Sequence, residues 1–390
     1  MPLPDGTIYL DHAATTPVRA EVLTAMLPYF GDRFGNPSSI YGLGRQSHQA
    51  LDEAHQTVAR ILNCRPTEVV FTGGGSEADN LAIRGTTGAA RRRGNHIITS
   101  AIEHHAVLHT CEFLAQQGFE VTYLPVDAVG RIAVDQLAAA LRDDTALVSI
   151  MYANNEVGTI QPISEIGGLC RSRRIPLHVD AVQAGASLDL DVASLQVDLL
   201  SLSAHKFYGP KGVGILYVRQ GARLQPQVLG GSQERNRRAG TENVAGAVGA
   251  ATALRLAHDD RKQENSRLIG LRDRLIAGVL QIPGANLTGH PIQRLPNSAS
   301  FTLSGVEGES LLLNLDLIGV AASSGSACST GAVDPSHVLT AMGITPDESR
   351  GHLRLTLGRS TTEADITKVL GELPEIVARV RSLGLTHPLT

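Results

Sequence analysis

Between about residues 69 and 218 the chain alternates short apolar, β-branched runs with helix-length amphipathic segments, and this alternation predicts a parallel sheet covered by helices. The runs are Val69–Phe71, His96–Thr99, Val121–Leu124, Ala146–Ile150, Leu177–Asp180, Leu199–Leu202 and Gly214–Val218. They are nearly continuous in apolar residues, which implies burial on both faces. Beyond a helical stretch from about Asn243 to Ile282 the pattern changes. Strand or helix candidates at Ser298–Leu303, Glu309–Leu317 and Leu353–Leu357 are followed by a closing helix that begins near Thr362, with Asp365 as its capping partner. This second stretch reads as a smaller domain.

At 390 residues, 42% hydrophobic and 18% charged, the chain can bury a large core and is expected to form two domains. Lys and Arg number 34 against 38 Asp and Glu, so no basic excess exists to attract nucleic acid or an acidic membrane surface. The first residues lack the basic and apolar regions of a signal peptide, and no apolar run approaches a membrane span, so a cytoplasmic location is expected. Cys64, Cys111, Cys170 and Cys328 form no CxxC pair and read as free thiols.

Three strand ends carry chemistry. Gly73-Gly74-Gly75-Ser76 follows the Val69 run and opens a helix, where free backbone amides and the Ser76 hydroxyl suit a phosphate. A plain flexible turn is the other reading. The glycines do not fit the GxGxxG dinucleotide fingerprint. Asp180 ends the fifth apolar run, where a buried carboxylate is costly unless a cation meets it; it also reads as a helix cap. Lys206, in Ser203-Ala204-His205-Lys206, follows the strand after that and faces the same crevice. Burial and neighbouring cations would lower an amine's pKa and free it as a nucleophile. The ordered combination is more specific than any part of it.

With these residues the sequence resembles the class V aminotransferase group of fold-type I pyridoxal-phosphate (PLP) enzymes, and within it the NifS/IscS cysteine desulfurases. The resemblance runs through Tyr9 to Thr16, Gly35-Asn36-Pro37-Ser38-Ser39, Phe71 to Glu77, Glu103-His104, Asn154-Asn155-Glu156-Val157-Gly158, Ser203 to Lys206, Arg238 to Asn243 and Gly325-Ser326-Ala327-Cys328. It implies an α/β fold: a large PLP-binding domain over residues 15–257, with a mainly parallel seven-stranded sheet. Residues 1–14 and 258–390 would form a small α+β domain carrying the Cys328 loop.

Position by position, the resemblance makes Lys206 the Schiff-base lysine, Asp180 the partner of the pyridine nitrogen and Gln183 a donor to the phenolic oxygen. Gly75, Ser76, Ser203 and His205 would hold the phosphate, with Thr241 reaching over from the second subunit of a homodimer. His104 would stack on the ring and transfer protons, as a candidate base for the substrate thiol. Asn155 would lie beside cofactor and substrate, and Arg354, helped by Asn36, would clamp the substrate carboxylate, a role for which a guanidinium fork is suited. Cys328, set among Ser, Ala and Gly, would accept sulfur from L-cysteine as a persulfide and pass it to an iron–sulfur scaffold or another acceptor. It could touch a nascent cluster transiently, while no clustered thiolates support a resident one. A selenocysteine lyase or another class V aminotransferase would share Lys206 and Asp180 without needing Cys328. A non-enzymatic scaffold with a relic site is countered by the intact Lys206, Asp180, Gln183 and His104.

Overall fold

Twelve short strands are ordered along the chain in the computed structural model, which describes residues 6–91, 94–325 and 335–386. They are β1 (Ile8–Tyr9), β2 (Val69–Thr72), β3 (His96–Ser100), β4 (Glu120–Leu124), β5 (Thr145–Met151), β6 (Leu177–Asp180), β7 (Leu199–Ser203), β8 (Gly214–Val218), β9 (Ala285–Leu287), β10 (Ser298–Leu303), β11 (Val320–Ala321) and β12 (His352–Thr356). The largest sheet has the order β2-β8-β7-β6-β5-β3-β4. Only β8 runs against its neighbours, so β2 still points the same way as β7. The carboxyl ends of β2, β3, β5, β6 and β7 therefore lie along one edge, the place where open α/β sheets bind ligands.

All seven apolar runs form strands of this sheet, their ends moving by at most a residue. β4 departs from the expectation of burial on both faces: Glu120 and Tyr123 are exposed, because this strand is the sheet's outer edge. Short strands escaped the sequence pattern. β1 and β11 have two residues each and pair in parallel, and such lengths carry no readable period.

Two apolar clusters underlie the molecule. One packs β5, β6 and β7 against flanking helices; the other gathers Ile8 and Leu10 with β10, β12 and the closing helix. The helix Val244–Val279 runs through both, giving Ala250, Ala253 and Leu254 to the first and Leu268, Leu271 and Leu275 to the second. The closing helix, Glu363–Thr386, starts at the expected cap: Thr362 N–H donates to Asp365 at 2.8 Å and Asp365 N–H to Thr362 Oγ1 at 3.2 Å. No helix among the described residues is long and apolar enough to cross a membrane.

Candidate active site

The glycine turn leaves β2 and opens the helix Gly75–Ala90. A helix start leaves its first amides without intrahelical acceptors. Among the described residues the N–H groups of Gly75, Ser76 and Glu77 have no protein acceptor. Glu77 is tied up by Gly73 N–H (2.8 Å) and Arg238 (2.8 Å), so its charge does not oppose an anion there. A Cβ on Gly75 would lie 2.9 Å from Val182 and 3.2 Å from Ser203, which explains why glycine alone brings this turn against the end of β7. The Ser76 hydroxyl is at the exposed rim and Ser203 is buried beside the turn.

Asp180, 5% exposed, ends β6 and accepts Val182 N–H at 2.9 Å. Burial raises its pKa to about 6, opposed by that hydrogen bond and by the charge of Lys206. Beneath it lies a pair that the sequence reading missed. Asp79 is buried, and burial together with the Asp180 charge pushes its pKa well above the carboxylate range. Both causes favour the protonated form of Asp79 beside Asp180. His178 bridges Ser149 (2.8 Å) and Ser201 (2.9 Å), and burial lowers its pKa to about 3. A signal was present: His178 and Asp180 share one face of an apolar strand, and Asp79 interrupts the apolar stripe of Ala78, Leu81 and Ala82.

Lys206 closes a single 3-10 turn, Ala204–Lys206, directly after β7. Its Nζ donates to the carbonyls of Ala13 (2.5 Å) and Ala14 (2.9 Å), while Gln183 Nε2 donates to Ala13 O at 3.0 Å. His205 bonds Thr15 Oγ1 through Nδ1 at 3.1 Å, and burial, then Lys206 and Lys211, lower its pKa to about 4. A neutral His205 keeps its other ring nitrogen for a phosphate oxygen.

His104 caps the helix His105–Gln116, its Nδ1 accepting Ala106 N–H at 3.1 Å. Burial foremost, then Lys206 and the neighbouring imidazoles of His105, His337 and His109, lower its pKa to about 4. The ring is neutral at pH 7 with its proton on Nε2. The ring can therefore donate a hydrogen bond from Nε2. Glu103, the preceding residue, is fully buried and accepts from Ser100 (2.5 Å) and Met151 N–H (3.0 Å); burial raises its pKa to about 8.

Arg354, 4% exposed on β12, donates through Nη1 to Asn155 O (3.1 Å) and through Nη2 to Asp11 (2.8 Å). Its Nε–H is buried without a partner among the described residues, so part of the fork remains for a carboxylate. Asp11, absent from the sequence-based site, holds the fork in place. Asn36 lies on an exposed turn, accepts its own neighbour Ser38 N–H at 2.9 Å, and among the described residues makes no hydrogen bond to Arg354. Thr241 is exposed, bordering a cavity with Gly73 and Arg238 of the same chain. Cys328 lies outside the described residues. Cys111 and Cys170 are buried and Cys64 half-buried, and burial raises each thiol to about 12, in keeping with inert packing.

These residues fit the PLP that the resemblance implies. The unspent amides face an anion, and the buried Asp180, within Coulombic reach of Lys206, is placed to meet the cation that a protonated pyridine would supply.

The buried imidazoles carry a pH consequence. His178 and His352 have pKa values lowered to about 3 by burial, and His12 to about 4. The unfolded chain binds more protons than the folded one below pH ~6.5, so their stability is intact above that pH and lost as pH falls toward those values, at up to about 1.4 kcal/mol per pH unit per histidine. The urea midpoint is expected to fall between pH 7 and 5, and less steeply in His352→Asn. Glu103 and Asp180, raised to about 8 and about 6, act in the opposite sense in both proteins, so the difference between the two is the readout, and equal slopes would contradict the assignment.

Residues 8–369 match the family described as aminotransferase class-V. The cysteine desulfurase IscS of Methanosarcina thermophila is 54% identical over 98% of this chain and 94% of its own length. The cysteine desulfurase IscS of Dictyoglomus turgidum is 49% identical over 97% and 96%. A solved NifS-like protein superposes with a TM-score of 0.90 at 36% identity over 96% of this chain and all of its own. A solved SspA in complex with cysteine gives 0.80 at 37% identity over 90% and 99%.

Proposed function

Since the chain belongs to the aminotransferase class-V family, we propose that it is a cysteine desulfurase, taking the sulfur of L-cysteine onto Cys328 and releasing L-alanine. The observation that carries this reading is 54% identity to a cysteine desulfurase over 98% of the chain. In balance, one C–S bond of the substrate breaks and one S–S bond forms: the Cys328 thiol becomes a persulfide, and the substrate carbon takes up a proton.

PLP is the cofactor, and when bound it supplies an electron sink for the substrate α-carbon. Lys206 would hold its aldehyde carbon, and the amides of Gly75 and Ser76 with Ser203 and His205 would hold its phosphate. Asp180 would keep the pyridine nitrogen protonated, beside an Asp79 whose pKa burial and the Asp180 charge raise. Gln183 would donate to the phenolic oxygen. The Lys206 amine would take the substrate's α-proton, and the ammonium so formed would return a proton to the substrate, with neutral His104 donating a hydrogen bond from Nε2. Arg354 receives the substrate carboxylate, steadied by Asp11 and the Asn155 carbonyl.

Arg354→Lys keeps the charge but loses the fork and leaves Asp11 with a poorer partner. KM for L-cysteine is expected to rise by roughly 10²-fold, with kcat changed less. An unchanged KM would remove Arg354 from substrate binding. For the activity itself, purified protein supplied with PLP and L-cysteine should yield alanine and protein-bound persulfide in equal amounts. A keto acid would point instead to an aminotransferase, and activity on selenocysteine alone to a lyase of that substrate. A homodimer with Thr241 shared between subunits, and an iron–sulfur scaffold as sulfur acceptor, complete the reading.

A further inference from the structure

In the sequence Cys328 lies between Gly325 and Ser336, and these two described residues meet at one atom. Ser336 Oγ donates to Glu156 Oε2 at 2.5 Å, and a Cβ built on Gly325 would lie 2.3 Å from that same oxygen. Gly325 is held further by its N–H, which donates to His352 Nδ1 at 3.0 Å. His352 is anchored in turn by Ser300 at 2.8 Å. Glu156, Ser336 and His352 are all buried. No side chain fits at 325, since it would strike both the carboxylate and the imidazole.

The clasp is also joined to the substrate side. Glu156 follows Asn155, whose carbonyl accepts from Arg354, and Ser323 exchanges backbone bonds of 3.2 and 2.7 Å with Arg354 itself. From Gly325 to residue 328 is three residues, at most ~11 Å of chain.

We propose that Glu156 is a positioning residue for sulfur transfer: with Ser336, Gly325 and His352 it clips together the two ends of the segment bearing Cys328 and ties them to the strand that carries Arg354. This rests on the desulfurase reading. Misplacing a reacting group by an ångström is enough to slow a reaction roughly 10²-fold, and loosening the clip at one hydrogen bond is a smaller disturbance.

The test uses PLP-loaded enzyme and the variants Ser336→Ala, Ser336→Thr and Glu156→Ala. Cys328 alkylation by iodoacetamide is followed by peptide mass, with buried Cys111 and Cys170 as internal references, beside kcat and KM for alanine formation. Ser336→Ala and Glu156→Ala are expected to raise the Cys328 alkylation rate and lower kcat, each by on the order of tenfold, with KM nearly unchanged. Ser336→Thr, which keeps the hydroxyl, should restore both. Ser336 also caps the helix His337–Ala341, so Glu156→Ala, which leaves that cap intact, separates the clip from the cap. If Glu156→Ala does not fold, the Ser336 pair decides. Parental alkylation and kcat in the alanine variants, or a threonine variant as impaired as the alanine one, overturn the proposal. If the parent forms no alanine, the desulfurase reading fails while the alkylation comparison still decides the clip.

Discussion

Cys328→Ala is expected to lower alanine and persulfide formation from L-cysteine by at least ~10³-fold, the loss typical of removing a nucleophile, while the protein keeps its cofactor colour. The chemistry needs a second sulfur: without one, the substrate's C–S bond has no acceptor for its sulfur. An ordinary thiol is only a few per cent ionised at pH 7, which is still enough for a sulfur nucleophile. The remaining cysteines cannot substitute, because burial raises Cys64, Cys111 and Cys170 to about 12 and holds them protonated. Alanine yield and the mass of the Cys328 peptide check this together. Undiminished turnover in the variant would make the chain some other class V enzyme that binds PLP in the same way.

Lys206→Ala should cost as much or more, for a different reason. It removes both the covalent hold on the cofactor and the base at the α-carbon, and general-base loss alone is worth roughly 10²–10⁴-fold. The variant should bind PLP without the parent's visible absorbance and form alanine at a rate lower by ~10³-fold or more. It also removes the Nζ donor from the carbonyls of Ala13, which keeps Gln183 Nε2, and Ala14, a disturbance of about 0.5–1.5 kcal/mol that unfolding in urea can register separately. If Lys206→Ala keeps both absorbance and turnover, the assignment of this lysine is wrong. Paired, the two variants divide the reaction: Lys206 serves the cofactor and the α-proton, and Cys328 serves the sulfur.

Much of this site was legible in the chain because parallel sheets announce themselves. Apolar runs at regular intervals place their following residues on one edge, so Gly75, Asp180 and Lys206 could be brought together by counting strands, and His104 was added by the family resemblance. The missed residues belong to other categories. Asp11 meets Arg354 across 343 positions, and Asp79 meets Asp180 between a helix and a strand, contacts for which no local period exists. Asn36 matched by motif, and its Oδ1 accepts from Ser38 N–H, a choice of rotamer and turn that the motif does not encode.

The sequence by itself determined the class of fold and the order of the strands' chemistry-bearing ends, because those follow from periodicity, while the proposed residues of a desulfurase came from resemblance to that family. Tertiary structure alone decided the state in which these groups stand. Burial makes His104 neutral, the hydrogen bond that its Nδ1 accepts from Ala106 N–H puts its proton on Nε2, and burial together with the charge of Asp180 raises the pKa of Asp79. Protonation depends on solvent exclusion and on charges a few ångströms away, quantities that exist only once distant segments have packed together.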